Sequence, residues 1–97
     1  MAGTIMVNKK LLDRFRAAFK RYGSMVLGDP DIIVEFFPTE FDGYFGVFLT
    51  SPQFQSMPEA ERQDSVWDYF DTDPDITDED LRFVTQIATE AEAVEFV

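Results

Sequence analysis

Carboxylates are the most abundant groups in this chain that could act as a general acid, a nucleophile or a metal ligand. The 97 residues include 19 acids but no histidine and no cysteine. The lack of cysteine excludes disulfides, thiol nucleophiles and thiolate metal sites, and the lack of histidine excludes imidazole bases and the usual serine triads. A glycosidase-like carboxylate pair would need two acids in one cleft, and nothing in the sequence places them so. We therefore expect a protein that is not an enzyme and that binds no cofactor.

The densest acidic segment is residues 71–80, which carry six acids in the sequence D-T-D-P-D-I-T-D-E-D. Its opening D-x-D-x-D resembles a calcium-binding loop. The match fails at the sixth position, which is Ile76 instead of glycine, and at the twelfth, where Arg82 replaces the bidentate glutamate and would repel the ion. We expect a solvated loop and no metal site.

Charge is distributed unevenly along the chain, whose formal net charge is −11. Residues 1–21 hold six bases and one acid, a net charge of +5, whereas residues 22–97 hold two bases and 18 acids, a net charge of −16. One interpretation is that a basic first helix packs across the acidic part and neutralises it; the other is that it meets an acidic partner or a nucleic acid. The acidic remainder would repel phosphate, which disfavours nucleic acid.

The elements that must position these groups begin with a helix predicted at residues 9–22. Asn8 suits its N-cap and Gly23 its C′ position. The helical period predicts one apolar stripe, made by Leu11, Leu12, Phe15, Ala18, Phe19 and Tyr22.

After this first helix, the sequence predicts two strands and a second helix. Residues 32–37 predict a strand that Pro38 ends, and residues 44–50 predict a second strand, apolar on both faces and hence central or covered on both. We expect the two to form an antiparallel hairpin with a long loop. Residues 56–59, S-M-P-E, resemble a capping box, so we predict a helix to about Phe70. Its predicted stripe consists of Ala60, Gln63, Val66, Trp67 and Phe70.

The C-terminal segment is compatible with both helix and strand. Leu81, Val84 and Ile87 have helical spacing, but the β-branched and aromatic residues at 83–87 favour a strand. A two-stranded sheet is marginal, and a third strand would complete it. We therefore predict one helical turn at 77–80, a strand at about 81–88 and then a short helix.

The chain as a whole, residues 1–97, is predicted to be a single α+β domain with helix–strand–strand–helix–strand order, in which helices cover a three-stranded sheet. No apolar run approaches the ~20 residues of a membrane span, so we expect a cytoplasmic protein, a monomer or weak dimer.

Residues 51–67 resemble the signature of the BolA-like family, whose second strand ends in V-S, followed by x-x-F-x-G-x-S, then R-H-R and an apolar–aromatic pair. Without a gap, the family's Ser, Phe, Arg, Val and Tyr positions fall on Ser51, Phe54, Arg62, Val66 and Trp67. Residues 81–92 resemble the family's last strand and its T-P-E-E ending. The resemblance implies a BolA-like fold, which is similar to that of type II KH domains.

The departures from the family pattern limit what the resemblance implies. Ser56 replaces a glycine, Pro58 a serine, and Gln63 the histidine that is the family's shared ligand for a [2Fe–2S] cluster bridged to a monothiol glutaredoxin. Glutamine cannot replace imidazole as this ligand, so we expect no cluster ligation, and a glutaredoxin-like partner is implied by the resemblance only. The KH nucleotide clamp, G-x-x-G, is absent, which argues against RNA binding.

The predicted function is that of a non-enzymatic protein-interaction or regulatory module, with a partner-binding surface made by Phe54, Gln55, Ser56, Arg62 and Gln63. The alternative for Phe54, Val66 and Trp67 is the core; for Arg62 it is an ion pair with a neighbouring acid, and for Gln63 a hydrogen-bonded rim position. A second hypothesis is an acidic decoy, in which residues 71–80 occupy the nucleic-acid site of a basic protein. A salty cytoplasm is a third explanation of the acidity.

Overall fold

The computed structural model describes residues 8–92 and has an α+β fold. Three strands form one mixed sheet in the order β1-β2-β3, with β1 antiparallel and β3 parallel to the central β2. This confirms the predicted order of helix, two strands, helix and strand around a three-stranded sheet. The elements are α1 (Lys9–Tyr22), β1 (Ile33–Pro38), β2 (Phe45–Thr50), α2 (Glu59–Phe70), α3 (Asp78–Leu81) and β3 (Val84–Glu90).

Helix α1 has the predicted span and the predicted N-cap. Asn8 Oδ1 accepts hydrogen bonds from the backbone N–H groups of Lys10 (2.8 Å) and Leu11 (3.3 Å), which would otherwise lack acceptors in the first turn. Its predicted stripe is the buried face, made by Leu11, Phe15, Ala18, Phe19 and Tyr22, with Leu12 packed beside them.

Helix α1 ends at Tyr22 as predicted, but Gly23 does not have the left-handed conformation that is usual at a C′ position. Gly23 is helical (φ −57°), and the chain continues through a π-helical turn at Gly23–Leu27 before Gly28 turns left-handed (φ +68°). Glycine is needed at position 23 for a different reason: a Cβ there would lie 2.5 Å from Ile32 Cγ2 and 2.6 Å from the Asp29 carbonyl oxygen. The sequence signal was therefore a close approach and not a positive φ.

The core lies between the helices and one face of the sheet. From β2, Phe45, Val47 and Leu49 are buried on this face, and Phe15 of α1 meets Phe45 edge to face at 5.4 Å between ring centroids. The prediction that β2 is central is confirmed. On the other face of the sheet Phe48 is only half-buried, so the described residues cover that side partially.

The segment before α2 differs from the prediction. Residues Pro52–Ser56 form a 3-10 turn capped by Ser51, whose Oγ accepts from the Gln53 N–H at 3.2 Å. Ser56 belongs to this turn, so the predicted capping box does not form, and Pro58 is the N-cap of α2 without a side-chain bond. The predicted end at Phe70 is confirmed.

The C-terminal segment, whose sequence is compatible with both helix and strand, forms a four-residue helix followed by a strand. Thr77 and Asp80 form a capping box, in which each side chain accepts from the other's backbone N–H at 3.0–3.1 Å. Strand β3 spans Val84–Glu90, so it begins three residues later and ends two residues later than predicted, because α3 extends to Leu81 and residues 82–83 form a turn. The predicted short helix falls partly on β3, where it is wrong, and partly beyond the described residues. Within residues 8–92 no helix is long and apolar enough to cross a membrane.

Candidate functional site

The five predicted partner-binding residues lie at two depths. Gln55 and Ser56 are exposed at the end of the 3-10 turn, whereas Phe54 is fully buried in the core. The alternative assignment of Phe54 to the core is therefore confirmed, and its side chain is not available to a partner at the surface. The Phe54 ring also makes a cation–π contact with Arg62, whose guanidinium carbon lies 5.7 Å from the ring centroid.

Arg62 is largely occupied by contacts within the protein. Its Nε donates to the Met57 carbonyl oxygen at 2.8 Å, and its Nη1 donates to the Thr89 carbonyl oxygen at 3.4 Å. The same nitrogen lies 3.6 Å from a carboxylate oxygen of Glu59, which confirms the predicted ion pair with a neighbouring acid. Only 17% of the Arg62 side chain is exposed, so it holds α2 to β3 more than it faces solvent.

Gln63 is a hydrogen-bonded rim residue, as the alternative assignment predicts. Its Nε2 donates to the Ile87 carbonyl oxygen at 2.7 Å and to a Glu59 carboxylate oxygen at 3.0 Å. Its Oε1 accepts from the indole N–H of Trp67 at 3.3 Å. Both ends of the amide are therefore bonded, and the Nε2 end connects α2 to the outer edge of β3.

The outer edge of β3 has carbonyl groups that are bonded to side chains of α2. The Glu90 carbonyl oxygen accepts from the Ser51 N–H, so the alternate residues Ile87 and Thr89 direct their backbone groups away from β2. Gln63 and Arg62 bond the carbonyl oxygens of Ile87 and Thr89. Ile87 and Thr89 are only 4% and 3% exposed, so the side chains of α2 cover this part of the edge.

A groove of about 570 Å³ runs along this edge; we call it the α2–β3 groove. Its floor is the outer edge of β3 at residues 85–90, and its wall is made by Glu59, Gln63 and Trp67 of α2. Trp67 is 36% exposed, so the prediction that it belongs to the core is wrong. The indole stands at the rim because it is held by Gln63 and by an edge-to-face contact with Phe70 at 6.2 Å.

The opposite edge of the sheet, on β1, is protected differently. The carbonyl oxygen of Ile32, next to β1, accepts from Lys20 Nζ at 2.5 Å, and that of Val34 accepts from Arg16 Nη1 at 2.9 Å. The Arg16 guanidinium also lies over the Phe36 ring, 5.0 Å from its centroid. Two cations of α1 thus lie across this edge, where they impede pairing with another strand.

Two further bases of α1, Arg14 and Arg21, pair with the acidic loop, as the first interpretation of the charge distribution predicts. Arg21 makes a bidentate pair with Asp73 at 2.9–3.1 Å, and Arg14 makes one with Asp80 at 2.9–3.0 Å. Asp75 also lies 3.3 Å from Arg21. Three of the six acids in residues 71–80 are therefore paired within the protein.

The ion pairs with Arg21 and Arg14 lower the pKa values of the Asp73 and Asp80 carboxyl groups. Burial by itself would raise the pKa of Asp73, but hydrogen bonds from the Asp75 backbone N–H, Tyr69 and Arg21 outweigh it and hold the pKa below its usual value. The hydrogen bonds from Arg14 lower the pKa of Asp80 against a smaller effect of burial. Both groups remain charged near neutral pH. Within residues 8–92, no three histidine, cysteine, aspartate or glutamate side chains are grouped to hold a metal ion.

Comparison with known protein families, with curated proteins and with solved structures finds no match to this chain. The resemblance to BolA-like proteins thus stays a prediction. Sequence reasoning named Gln63, which lines the groove, and Arg62, but it did not name Trp67 as a surface residue of the groove. The indole N–H of Trp67 four residues after the amide of Gln63 was the available signal, since side chains at this spacing meet on one face of a helix.

Proposed function

We propose that this protein is a non-enzymatic protein-interaction module of the BolA-like type, whose partner binds at the α2–β3 groove and the neighbouring residues Gln55 and Ser56. The observation that carries the proposal is the groove itself. It joins an exposed tryptophan, a polar rim and a floor made by β3, next to the surface that the family resemblance indicates. The resemblance suggests a glutaredoxin-like partner.

Two features of the structure support this type of module. The mixed sheet, with its antiparallel hairpin and parallel third strand, has the element order that a BolA-like chain requires. Gln63, which takes the place of the family's histidine, has both polar atoms bonded within the protein, so it serves the packing of α2 on β3. We infer that the module binds its partner without ligating an iron–sulfur cluster.

The proposal is tested by affinity capture from an extract of the organism that carries the chain. Immobilised wild-type protein is compared with Trp67→Ala, which removes the groove wall, and with Phe41→Ala. Phe41 is a matched control because it is an exposed aromatic residue, 61% exposed, in the loop between β1 and β2. We expect at least one protein that binds the wild type and Phe41→Ala and is lost with Trp67→Ala. Capture that is the same for all three baits would refute the proposed surface.

An acidic decoy is the second candidate function, and one observation favours it. The exposed residues Glu61, Asp64 and Asp68 follow one another at three- or four-residue spacing along the solvent side of α2, over about 10 Å. A decoy of this kind would use α2 instead of residues 71–80, where Asp73, Asp75 and Asp80 are paired with arginines. Duplex DNA would compete with the decoy for its basic partner, and Asp64→Asn/Asp68→Asn would weaken binding while Trp67→Ala would not.

A further inference from the structure

The loop between β1 and β2 contains the one aspartate–glycine pair of the sequence, Asp42–Gly43. Asp42 is exposed, and Gly43 has a positive φ of +84° with nothing within 4 Å of the place where a Cβ would lie. The turn is closed by the Tyr44 N–H, which donates to the Phe41 carbonyl oxygen at 3.1 Å. Within residues 8–92 the Gly43 N–H donates to no acceptor. An unbonded backbone nitrogen therefore lies next to an exposed carboxyl group, without a side chain to obstruct it.

Other exposed aspartates lack this combination, because the backbone N–H group that follows each of them is bonded. The N–H group after Asp71 donates to the Tyr69 carbonyl oxygen at 2.9 Å. The N–H group after Asp75 donates to the Asp73 carbonyl oxygen at 3.3 Å. Asp64 lies within α2, where backbone N–H groups bond the carbonyl oxygens four residues earlier. Each of these three aspartates is also followed by a residue with a side chain, which restricts the backbone in a way that glycine does not.

We propose that Asp42 is a site of spontaneous isomerisation to isoaspartate. The Gly43 nitrogen attacks the carbon of the Asp42 side-chain carboxyl group, a C–N bond forms, and the carboxyl hydroxyl group leaves with the amide proton as water. The product is a five-membered succinimide ring. Water then opens the ring: addition at the side-chain carbonyl restores aspartate, whereas addition at the main-chain carbonyl gives isoaspartate, whose backbone runs through the former side chain.

The product would change the loop at an accessible place. Isoaspartate adds one carbon to the main chain inside the ring that the bond from Tyr44 to Phe41 closes, so this turn must rearrange. The Thr39 hydroxyl group, which lies 3.1 Å and 3.0 Å from the carbonyl oxygens of the same two residues, would be displaced with it. The new carboxylate would be exposed, as Asp42 is, and open to methylation by an isoaspartyl methyltransferase. Asp42 does not line the α2–β3 groove, so this inference is independent of the proposed function.

The test is ageing of the full chain at neutral pH for several weeks. Isoaspartate is counted by the transfer of labelled methyl groups from an isoaspartyl methyltransferase, and it is located by the loss of cleavage before residue 42 by an aspartate-specific endoprotease. We expect methyl acceptance to rise with time and to fall at least tenfold in Asp42→Glu, which keeps the charge but cannot form the five-membered ring. The matched control Asp71→Glu makes the same change before a bonded N–H group and should accept methyl groups as the wild type does.

Three results would overturn the inference. An equal loss of methyl acceptance in Asp42→Glu and Asp71→Glu would show that isomerisation does not depend on the free Gly43 nitrogen. Isoaspartate at residue 42 in the chain unfolded by urea, but not in the folded chain, would show that the fold protects this loop. Absence of methyl acceptance in both the folded and the unfolded chain would show that the pair is unreactive.

Discussion

Removal of the Arg21 guanidinium should destabilise the fold, because the buried Asp73 carboxylate would lose its charged partner. The Asp73 side chain is 1% exposed, and Arg21 bonds both of its oxygens at 2.9–3.1 Å. Removing one partner of a buried ion pair costs about 3–5 kcal/mol. The Arg21 side chain is 36% exposed, so solvent screens part of the interaction, and we expect Arg21→Gln to lower the free energy of unfolding by about 2 kcal/mol.

The assay is urea unfolding of the full chain, followed by the fluorescence of its single tryptophan. With a slope of roughly 1 kcal/mol per molar urea, the midpoint should fall by about 2 M. The matched control Lys9→Gln removes the same charge from an exposed position of α1, which separates the loss of the pair from the general self-repulsion of an acidic chain.

The pH dependence distinguishes the buried pair from a packing defect. The pKa of Asp73 is lowered in the folded protein, so the ionised group stabilises the fold above its unfolded pKa of about 4, and this contribution is lost as the pH falls through the folded value. In Arg21→Gln, burial acts on Asp73 without the arginine and raises the pKa relative to the wild type. The difference between wild type and variant should therefore be largest at neutral pH and shrink towards pH 3. An equal difference at both pH values, or a midpoint like that of Lys9→Gln, would refute this reasoning.

Three further substitutions test the local structure by the same unfolding assay. Gly23→Ala should destabilise by roughly 1–3 kcal/mol despite the helical conformation, because the new methyl group would overlap buried Ile32 and the Asp29 carbonyl oxygen; an increase in stability would contradict this contact. Asn8→Ala should cost about 1 kcal/mol through loss of the N-cap, whereas Asn8→Asp should be tolerated. Ser51→Ala should cost roughly 1–2 kcal/mol, since the fully buried hydroxyl donates to an Asp29 carboxylate oxygen at 2.6 Å, and an unchanged midpoint would show that this bond contributes nothing.

Local patterns in the sequence were sufficient to predict the elements but not all of their ends. The stripe from Leu11 to Tyr22 and the N-cap at Asn8 predicted α1, because both depend on neighbours within the helix. Gly23 was misassigned, since its packing against Ile32 depends on how the chain returns into the sheet. Strand β3 was predicted because a two-stranded sheet is marginal, but nothing local indicated that it runs parallel to β2.

The candidate site was predicted only in part, because its contacts also depend on how parts of the chain that are distant in sequence pack together. Arg62 and Gln63 were identified from the family resemblance, but their bonds to the Thr89 and Ile87 carbonyl oxygens depend on where β3 lies beside α2. Trp67 has the spacing of a core residue, yet it stands at the rim of the groove beside β3, where 36% of it is exposed. Periodicity predicts which face of a helix is apolar, whereas the width of the partner layer decides how much of that face is buried.

Photo-crosslinking in living cells tests the central claim, that the α2–β3 groove is the partner-binding surface, most directly. Benzoylphenylalanine is placed at Gln86, an exposed residue on the groove floor, and in a control protein at Phe41, an exposed residue outside the groove lining, in the loop between β1 and β2. We predict that position 86 forms a discrete crosslinked product with one partner, which disappears when Trp67→Ala is added, and that position 41 does not form it. The same product from position 41, or none from position 86 while the partner is still captured, would contradict the account.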